Sequence, residues 1–444
     1  MAELNMFHLR TNKLGYGRFG LNLAQSLRNL GLEVFNKMPM PDDAVLPHED
    51  PGDVPSKRCH VALWASVPGH ARGWWADQHP VLYSMWESGS LPEPFRDTIH
   101  NFAQIIVPSH QNAELFSRYH PDVTMVPLGV DPKVWYPTVR PKVGATFRFL
   151  IGGSGPRKGT DLAHRAFRAA FSTWPEDGPV PTLVMKNPKA ESFYGPNIEM
   201  IGGHISDQAE VDLYASAHCY LQPSRGEGFG LQPLQAMAQG CPTILTAAHG
   251  HDSFAHLGLG VPAARAEAAY FLYGDAGQWW EPDFDTLVDQ MRWVYDHYDE
   301  ACDRAARSAV VVADTFTWEN TARRFVDAIG HDRFRCAADP TAAWFTPDRK
   351  LYRTRVLRKW KCDIAGTTYL FEPGVDYHEV AEVKRILMET GVLDPACTGG
   401  DDTGLATAQL AERDSYSASH SYCPTCRQQL NTQPTRADLY EAVV

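Results

Sequence analysis

Short apolar runs alternate with stretches of helical spacing over the first three quarters of the chain, the pattern of mostly parallel sheets covered by helices. In the first part, strands are expected at residues 5–9, 32–35, 60–65, 81–86, 104–107 and 123–126. Between the first two, Leu21, Leu23, Ala24, Leu27 and Leu30 form one apolar helix face. Residues 39–55 read as a loop rich in proline and acid. Residues 132–146 hold three prolines and little apolar patterning after Trp135, so they read as a linker between two lobes. A second alternation follows, with strands expected at 147–151, 182–185, 198–201, 219–221 and 243–245, and amphipathic helices from Phe284 onward and over 318–329. Beyond about Gly330 that pattern stops. Residues 351–393 have their own alternation, with a strand expected at 367–371 and a helix at 379–391. From Asp394 the composition turns polar, as in a flexible tail. The expected domains are therefore 1–138, 139–330, a linker with a small appended module over 331–393, and a tail over 394–444.

A length of 444 residues exceeds what one core usually serves, and 44% hydrophobic residues suffice for two substantial cores. The formal charge of −12 disfavours nucleic acid as the main partner. The start of the chain has neither a basic leader nor a long apolar stretch, and no run of about 18 apolar residues occurs. The expectation is a cytoplasmic protein with no integral membrane segment. Nine scattered cysteines suit reduced core thiols better than a disulfide framework.

Three glycine-rich stretches carry the candidate chemistry. The third, 223–240, reads as strand end, tight turn and helix start, with Gly226, Gly228 and Gly230 in the turn, Pro233 in the first helical turn and Gly240 closing the helix. A helix start there offers free backbone N–H groups to a phosphate or sugar oxygen. Glu227 lies in the turn and Gln235 on the helix; position alone suits Glu227 equally to a functional acid and to an exposed acid at a helix start. The second stretch, 152–159, places Arg157 and Lys158 before a helix expected at Thr160 or Asp161, where two cations suit a diphosphate. It lacks P-loop spacing, and a solvated basic turn is the less favoured alternative to a diphosphate site. The first stretch, with Gly15, Gly17 and Gly20, formally matches the dinucleotide fingerprint. Four residues separate it from the strand, and Asn36 stands where the ribose-binding acid belongs, so a glycine loop at an interlobe cleft, or a structural turn, is favoured over an oxidoreductase site. Asp283 and Asp285 begin a helix, where N-capping explains them more simply than a metal. His249 and His251 sit near the expected pocket without the spacing of a zinc site, and Cys423 and Cys426, with His420 nearby, form a single CxxC.

Together these stretches resemble the retaining glycosyltransferases of family 4, whose GT-B architecture faces two Rossmann-like lobes across a cleft. The resemblance runs from about residue 4 to 330. It rests on 223–246, which looks like the family's E-x7-E region, on 107–109 and 126–131 near the lobe crossing, and on 316–318 before the last helix. It implies that Glu227 contacts the donor sugar, with Gly228, Phe229, Gly230 and Leu231 near the sugar and diphosphate. Lys158 matches the diphosphate-binding lysine, and Gly153, Ser154, Arg157 and Lys186 complete the expected donor site. The family's usual arginine falls near Ser154, and Gln235 replaces the acid that reaches the nucleotide ribose. The implied activity is transfer of a hexose from a UDP- or GDP-sugar to a hydroxyl of a protein or carbohydrate acceptor, with retention and with no metal or other cofactor required. Gly15 and Gly17 would lie in a cleft loop; His70 and Glu87 are the candidate acceptor residues. The 351–393 module resembles short bacteriophage segments, which implies a phage-encoded enzyme acting on virion proteins in the host cytoplasm. The replacement at Gln235 leaves open a scaffold that keeps the fold without turnover.

Overall fold

The computed structural model describes residues 2–11, 15–38, 52–71, 73–187, 193, 195–203, 205–267 and 277–334, together with residue 343 and short strand segments between 344 and 443. Strands β1 (Glu3–His8), β2 (Glu33–Lys37) and β3 (Val61–Ala65) are followed by a two-residue strand, β4 (Trp74–Trp75). Then come β5 (His79–Tyr83), β6 (Gln104–Val107) and β7 (Val123–Met125). All but β4 form one sheet in the order β2-β1-β3-β5-β6-β7, parallel throughout. The central strands are apolar on both faces because helices cover both, so they read as continuous hydrophobic runs; all five residues of β3 are buried.

The second sheet repeats the scheme with β8 (Thr146–Gly152), β9 (Val180–Asn187), β10 (Ile198–Gly202), β11 (Cys219–Gln222), β12 (Thr243–Thr246) and β13 (Leu259–Val261). Its order is β10-β9-β8-β11-β12-β13, again all parallel. The sequence order of strands reverses between β8 and β11, and ligands of doubly wound sheets bind in the crevice beyond the strand ends at such a point. An antiparallel hairpin of β14 (Ala263–Glu267) and β15 (Gln278–Pro282) follows.

Helix α1 (Gly15–Asn29) covers the first sheet, with α2 (Glu93–Ile99) and α3 (His110–Ser117) following β5 and β6. In the second lobe lie α4 (Thr160–Ala170), α5 (Asp207–Ala215), α6 (Leu231–Ala238), α7 (Phe284–Asp296) and α8 (Tyr298–Thr315). The side chains of Ser109, Ser206 and Asp283 each accept a backbone N–H in the first turn of α3, α5 and α7, which is the expected role of Asp283. Helix α9 (Trp318–Ile329) occupies the expected residues but returns to pack on α1 of the first lobe. There Phe325 faces Tyr83, and Trp318 faces Phe19. The crossing is stitched by Val130 N–H to Phe316 O (2.9 Å) and Thr321 Oγ1 to Pro127 O (2.8 Å). One hydrophobic cluster is consequently continuous from Leu4 and Phe19 to Leu150 and Phe229.

Three sequence expectations change. The strand expected over 81–86 starts earlier and ends at Tyr83, because Met85 and Trp86 leave the sheet to bond Tyr16 and Asn112. Gly15 and Gly17 lie within the first turn of α1 rather than in a loop before it. Helix α8 and strand β13 were not expected: the buried face of α8 is mostly small, with Ala301, Ala305, Ser308, Ala309 and Val312, and gives little hydrophobic contrast. The strand expected at 367–371 is present, pairing with residues 360–364, whereas the expected helix at 379–391 lies outside the described residues.

Because α9 belongs by packing to the first lobe and by connection to the second, its core residues should couple the two lobes. Phe325→Ala is expected to destabilise the protein by about 3–5 kcal/mol and to shift the urea transitions of both lobes together. Intrinsic fluorescence and circular dichroism melts that separate, with one lobe unmoved, would contradict this.

Candidate functional site

The turns after β8 and β11 meet at the reversal of strand order. After β8 the chain makes a short 3-10 turn, Pro156–Lys158, ended by Gly159, and α4 begins at Thr160. After β11 the chain passes through Ser224 to Gly230 before α6 starts at Leu231. Gly230 has φ of 107°, and an added Cβ would stand 2.5 Å from the His251 ring, so both backbone conformation and space require glycine. At Gly226 the constraint is approach: a Cβ would lie 2.1 Å from Glu87 O, a backbone atom of the first lobe.

Glu227 is 6% exposed. Lys158 Nζ donates to its Oε1 at 2.7 Å and its Oε2 at 2.9 Å, while Arg157 Nη1 reaches Oε2 at 3.4 Å and donates to Gly226 O at 2.7 Å. Burial works to raise the Glu227 pKa, but Lys158 and Arg157 outweigh it and hold the pKa at about 2. Glu87 of the first lobe lies 4.0 Å from Arg157, so Arg157 stands between carboxylates from the two lobes. Here the solvated-turn reading of 152–159 fails, since both cations are turned onto a buried acid.

The first lobe closes directly on this turn. Buried Asn112 donates to Gly228 O at 3.1 Å and accepts from Trp86 N–H at 2.6 Å. Tyr16 exchanges both backbone bonds with Met85 through its hydroxyl, at 2.8 and 2.9 Å. The N–H groups of His110 and Gln111, at the start of α3, donate to the Asp252 carboxylate of the second lobe. Neither Asn112 nor Asp252 stood out in the sequence, because an isolated Asn and an isolated Asp carry no spacing signal.

Gly153 N–H donates to Lys186 O at the end of β9, but the Lys186 ammonium is bound to Glu210 at 2.6 Å. Arg18 of α1 binds the same buried carboxylate from the other lobe at 2.7 Å. Burial works to raise the Glu210 pKa, and Arg18 and Lys186 together bring it below the ordinary value. Ser154, Phe229 and Leu231 lie on the two turns, with Phe229 fully buried against Phe254. Gln235 is 6% exposed, on the second turn of α6, and its Oε1 has no hydrogen-bond partner among the described residues. Of His70, only the backbone is described, in the short turn Pro68–His70. His420, Cys423 and Cys426 lie outside the described residues.

His249 and His251 pack ring to ring at 4.6 Å, both buried. His249 Nε2 and His251 Nδ1 face the carbonyls of Ser224 and Thr246, so those nitrogens carry the protons. Burial keeps both rings neutral: His249 is held well below its ordinary value, and His251 is held at about 4 despite the nearby Glu227 charge. Among the described residues, no group of three or more His, Cys, Asp or Glu side chains is placed to hold a metal ion. Among the same residues, no helix is long and apolar enough to cross a membrane.

Two Rossmann-like parallel-sheet domains facing one another in this way are the GT-B architecture of glycosyltransferases. Residues 109–325 match the family described as Family 4 Glycosyltransferase in conflict systems, which supports the glycosyltransferase class. The fold is similar to sucrose-phosphate synthase from Thermosynechococcus elongatus, with a TM-score of 0.55 at 15% identity over 74% of this chain and 98% of that one. It is also similar to a glycosyltransferase from Rickettsia africae (TM-score 0.51, 12% identity, 73% and 97% covered). A third likeness is to Anabaena HepE in complex with UDP-glucose (TM-score 0.50, 12% identity, 74% and 99% covered). No curated protein matches the chain.

The buried imidazoles give a pH dependence whose sign follows from their neutrality. A histidine held neutral in the folded protein but free to protonate when unfolded leaves stability unchanged above pH 6.5 and lowers it progressively as the pH falls toward 4. For His251 the loss is expected to be on the order of 3 kcal/mol. Glu227, depressed from 4.5 to about 2, loses its contribution between those two values, overlapping that window only at its acid end. Urea melts should therefore show stability level above pH 6.5 and falling between 6.5 and 4, a slope that His251→Asn makes shallower; an unchanged slope would exclude the assignment.

Proposed function

We propose that this chain transfers a hexose from a nucleoside diphosphate sugar, UDP- or GDP-linked, to an acceptor hydroxyl with retention at the anomeric carbon. The observation that carries the reading is the convergence of Lys158, Arg157 and Glu227 at the reversal of strand order, beside the N-terminus of α6. In this reaction the bond from the anomeric carbon to the diphosphate oxygen breaks, and a bond from the same carbon to the acceptor oxygen forms on the same face. The acceptor proton passes to the departing phosphate oxygen. Negative charge grows on the diphosphate, and cations with backbone N–H groups in a site that excludes water stabilise it without a metal. Lys158 and Arg157 would move from Glu227 toward the diphosphate, freeing the carboxylate for sugar hydroxyls, with Gly153, Ser154 and the 228–231 backbone around them.

UDP-glucose is the first donor to try, since it is what the HepE structure contains. On the acceptor side, Glu87 lies across from Arg157, and His70 follows β3 in the same lobe. The resemblance of 351–393 to phage segments extends the proposal to a phage-encoded enzyme with a virion protein as acceptor. A scaffold without turnover is the competing reading, motivated by Gln235.

Lys158→Ala is expected to lower transfer by about two to three orders of magnitude, with Glu227→Gln lowering it as well; mass analysis of candidate acceptors with a panel of donors measures this. Normal turnover by folded Lys158→Ala would remove the proposed role. Donor hydrolysis or transfer by the purified protein separates the two readings; given turnover, a donor KM changed in Gln235→Glu places residue 235 against the nucleotide, and an unchanged one makes the replacement incidental.

A further inference from the structure

The proposed site needs the 156–158 turn and the 225–228 turn held in fixed register, and neither turn is a regular element. Arg225 lies between them. Its side chain is only 12% exposed, although it sits beside a glycine turn. An arginine has five N–H donors in a planar fork, and all five are used here. Nη1 donates to Pro156 O at 2.6 Å and Asp161 Oδ1 at 2.8 Å. Nη2 donates to Asp161 Oδ2 at 2.9 Å and Glu281 Oε1 at 3.1 Å, and Nε donates to Glu281 Oε2 at 2.5 Å. The backbone joins in: Arg225 N–H donates to Arg157 O at 2.7 Å, and Arg225 O accepts from Trp280 N–H at 2.9 Å.

Three separate segments are thereby tied to one residue: the turn bearing Arg157 and Lys158, the first turn of α4 through Asp161, and β15 through Glu281. Burial disfavours the charge on Arg225, but the two carboxylates more than offset this, so the guanidinium is fixed as a cation. Glu227 follows two residues later, which means that the reach of Lys158 to Glu227 is set by the fork. No donor of Arg225 is left over for a ligand.

We propose that Arg225 is a positioning residue, which holds the Lys158 ammonium in register with Glu227 and the diphosphate end of the donor site without touching the donor. The proposal rests on the glycosyltransferase reading of that site. Lysine offers three donors on a flexible stem and cannot reproduce a double two-point grip.

The test compares Arg225→Gln and Arg225→Lys with the unaltered protein. Steady-state kinetics with UDP-glucose should show kcat/KM for the donor reduced about tenfold or more, with little rescue by lysine and with the acceptor KM unmoved. Independently, the protein can be 13C-dimethylated on its lysines, with the Lys158 signal identified by its loss in Lys158→Arg. Its NMR resonance should shift toward that of a solvated lysine in both Arg225 variants. If Arg225→Gln does not fold, Asp161→Asn and Glu281→Gln each loosen one arm of the fork and should move the same resonance partway. A lower melting temperature with unchanged Lys158 resonance and unchanged donor KM would reduce Arg225 to a structural residue and overturn the proposal. An unaltered protein that neither binds nor turns over any donor would instead sink the glycosyltransferase reading, while the Lys158 resonance still decides the positioning.

Discussion

The ion cluster of Glu227 with Lys158 and Arg157 is the interaction on which the rest of this structure depends. A carboxylate buried without a partner costs several kcal/mol, and a pair repays that cost only with close geometry. Here the geometry is supplied by strands: β8 and β11 are neighbours in the sheet, so the turns leaving them are brought together by backbone pairing before any side chain acts. The glycines then let the turns approach, and the cations arrive on the acid. Removing either partner would leave a charge stranded, so the site is also a structural element of the second lobe.

The same turn is the surface on which the first lobe closes. Asn112, Met85 and Glu87 press on Gly226 and Gly228, while Asp252 caps α3 from the opposite side of the boundary. Farther along, Glu210 gathers Lys186 from one lobe and Arg18 from the other. These contacts are polar and replaceable by water, in contrast to the apolar seam around Phe19, Tyr83, Trp318 and Phe325. Opening about the crossing segments would therefore break the polar contacts first and leave the α1–α9 seam intact, which is the division of strength a hinged pair of lobes requires.

Most of the architecture was legible in the sequence because fully buried parallel strands are written as continuous apolar runs, and ten of the expected strands coincide closely with observed ones. The position of the site was legible for a related reason: glycines followed by a helix start mark where the chain leaves a strand. What could not be read is what contacts distant in sequence determine. Lys186 looks like a free cation in sequence, and only the fold reveals Glu210 and Arg18 beside it. Arg225 looks like a spacer within the glycine turn, since its partners are 64 and 56 residues away. Helix α8 was missed because alanines and one buried serine give an apolar face too weak to stand out.

Gln235 is the residue at which local physics and the family pattern diverge, and the closed arrangement suggests why glutamine is tolerated there. Its side chain is buried on α6, and its Oε1 finds no hydrogen bond among the described residues. A glutamate at this point would place an ionised group where even a neutral oxygen is unpartnered, at a cost that could be recovered only while a ligand hydroxyl or cation was bound. Glutamine lowers that cost, since its amide is neutral, and it keeps both a donor and an acceptor.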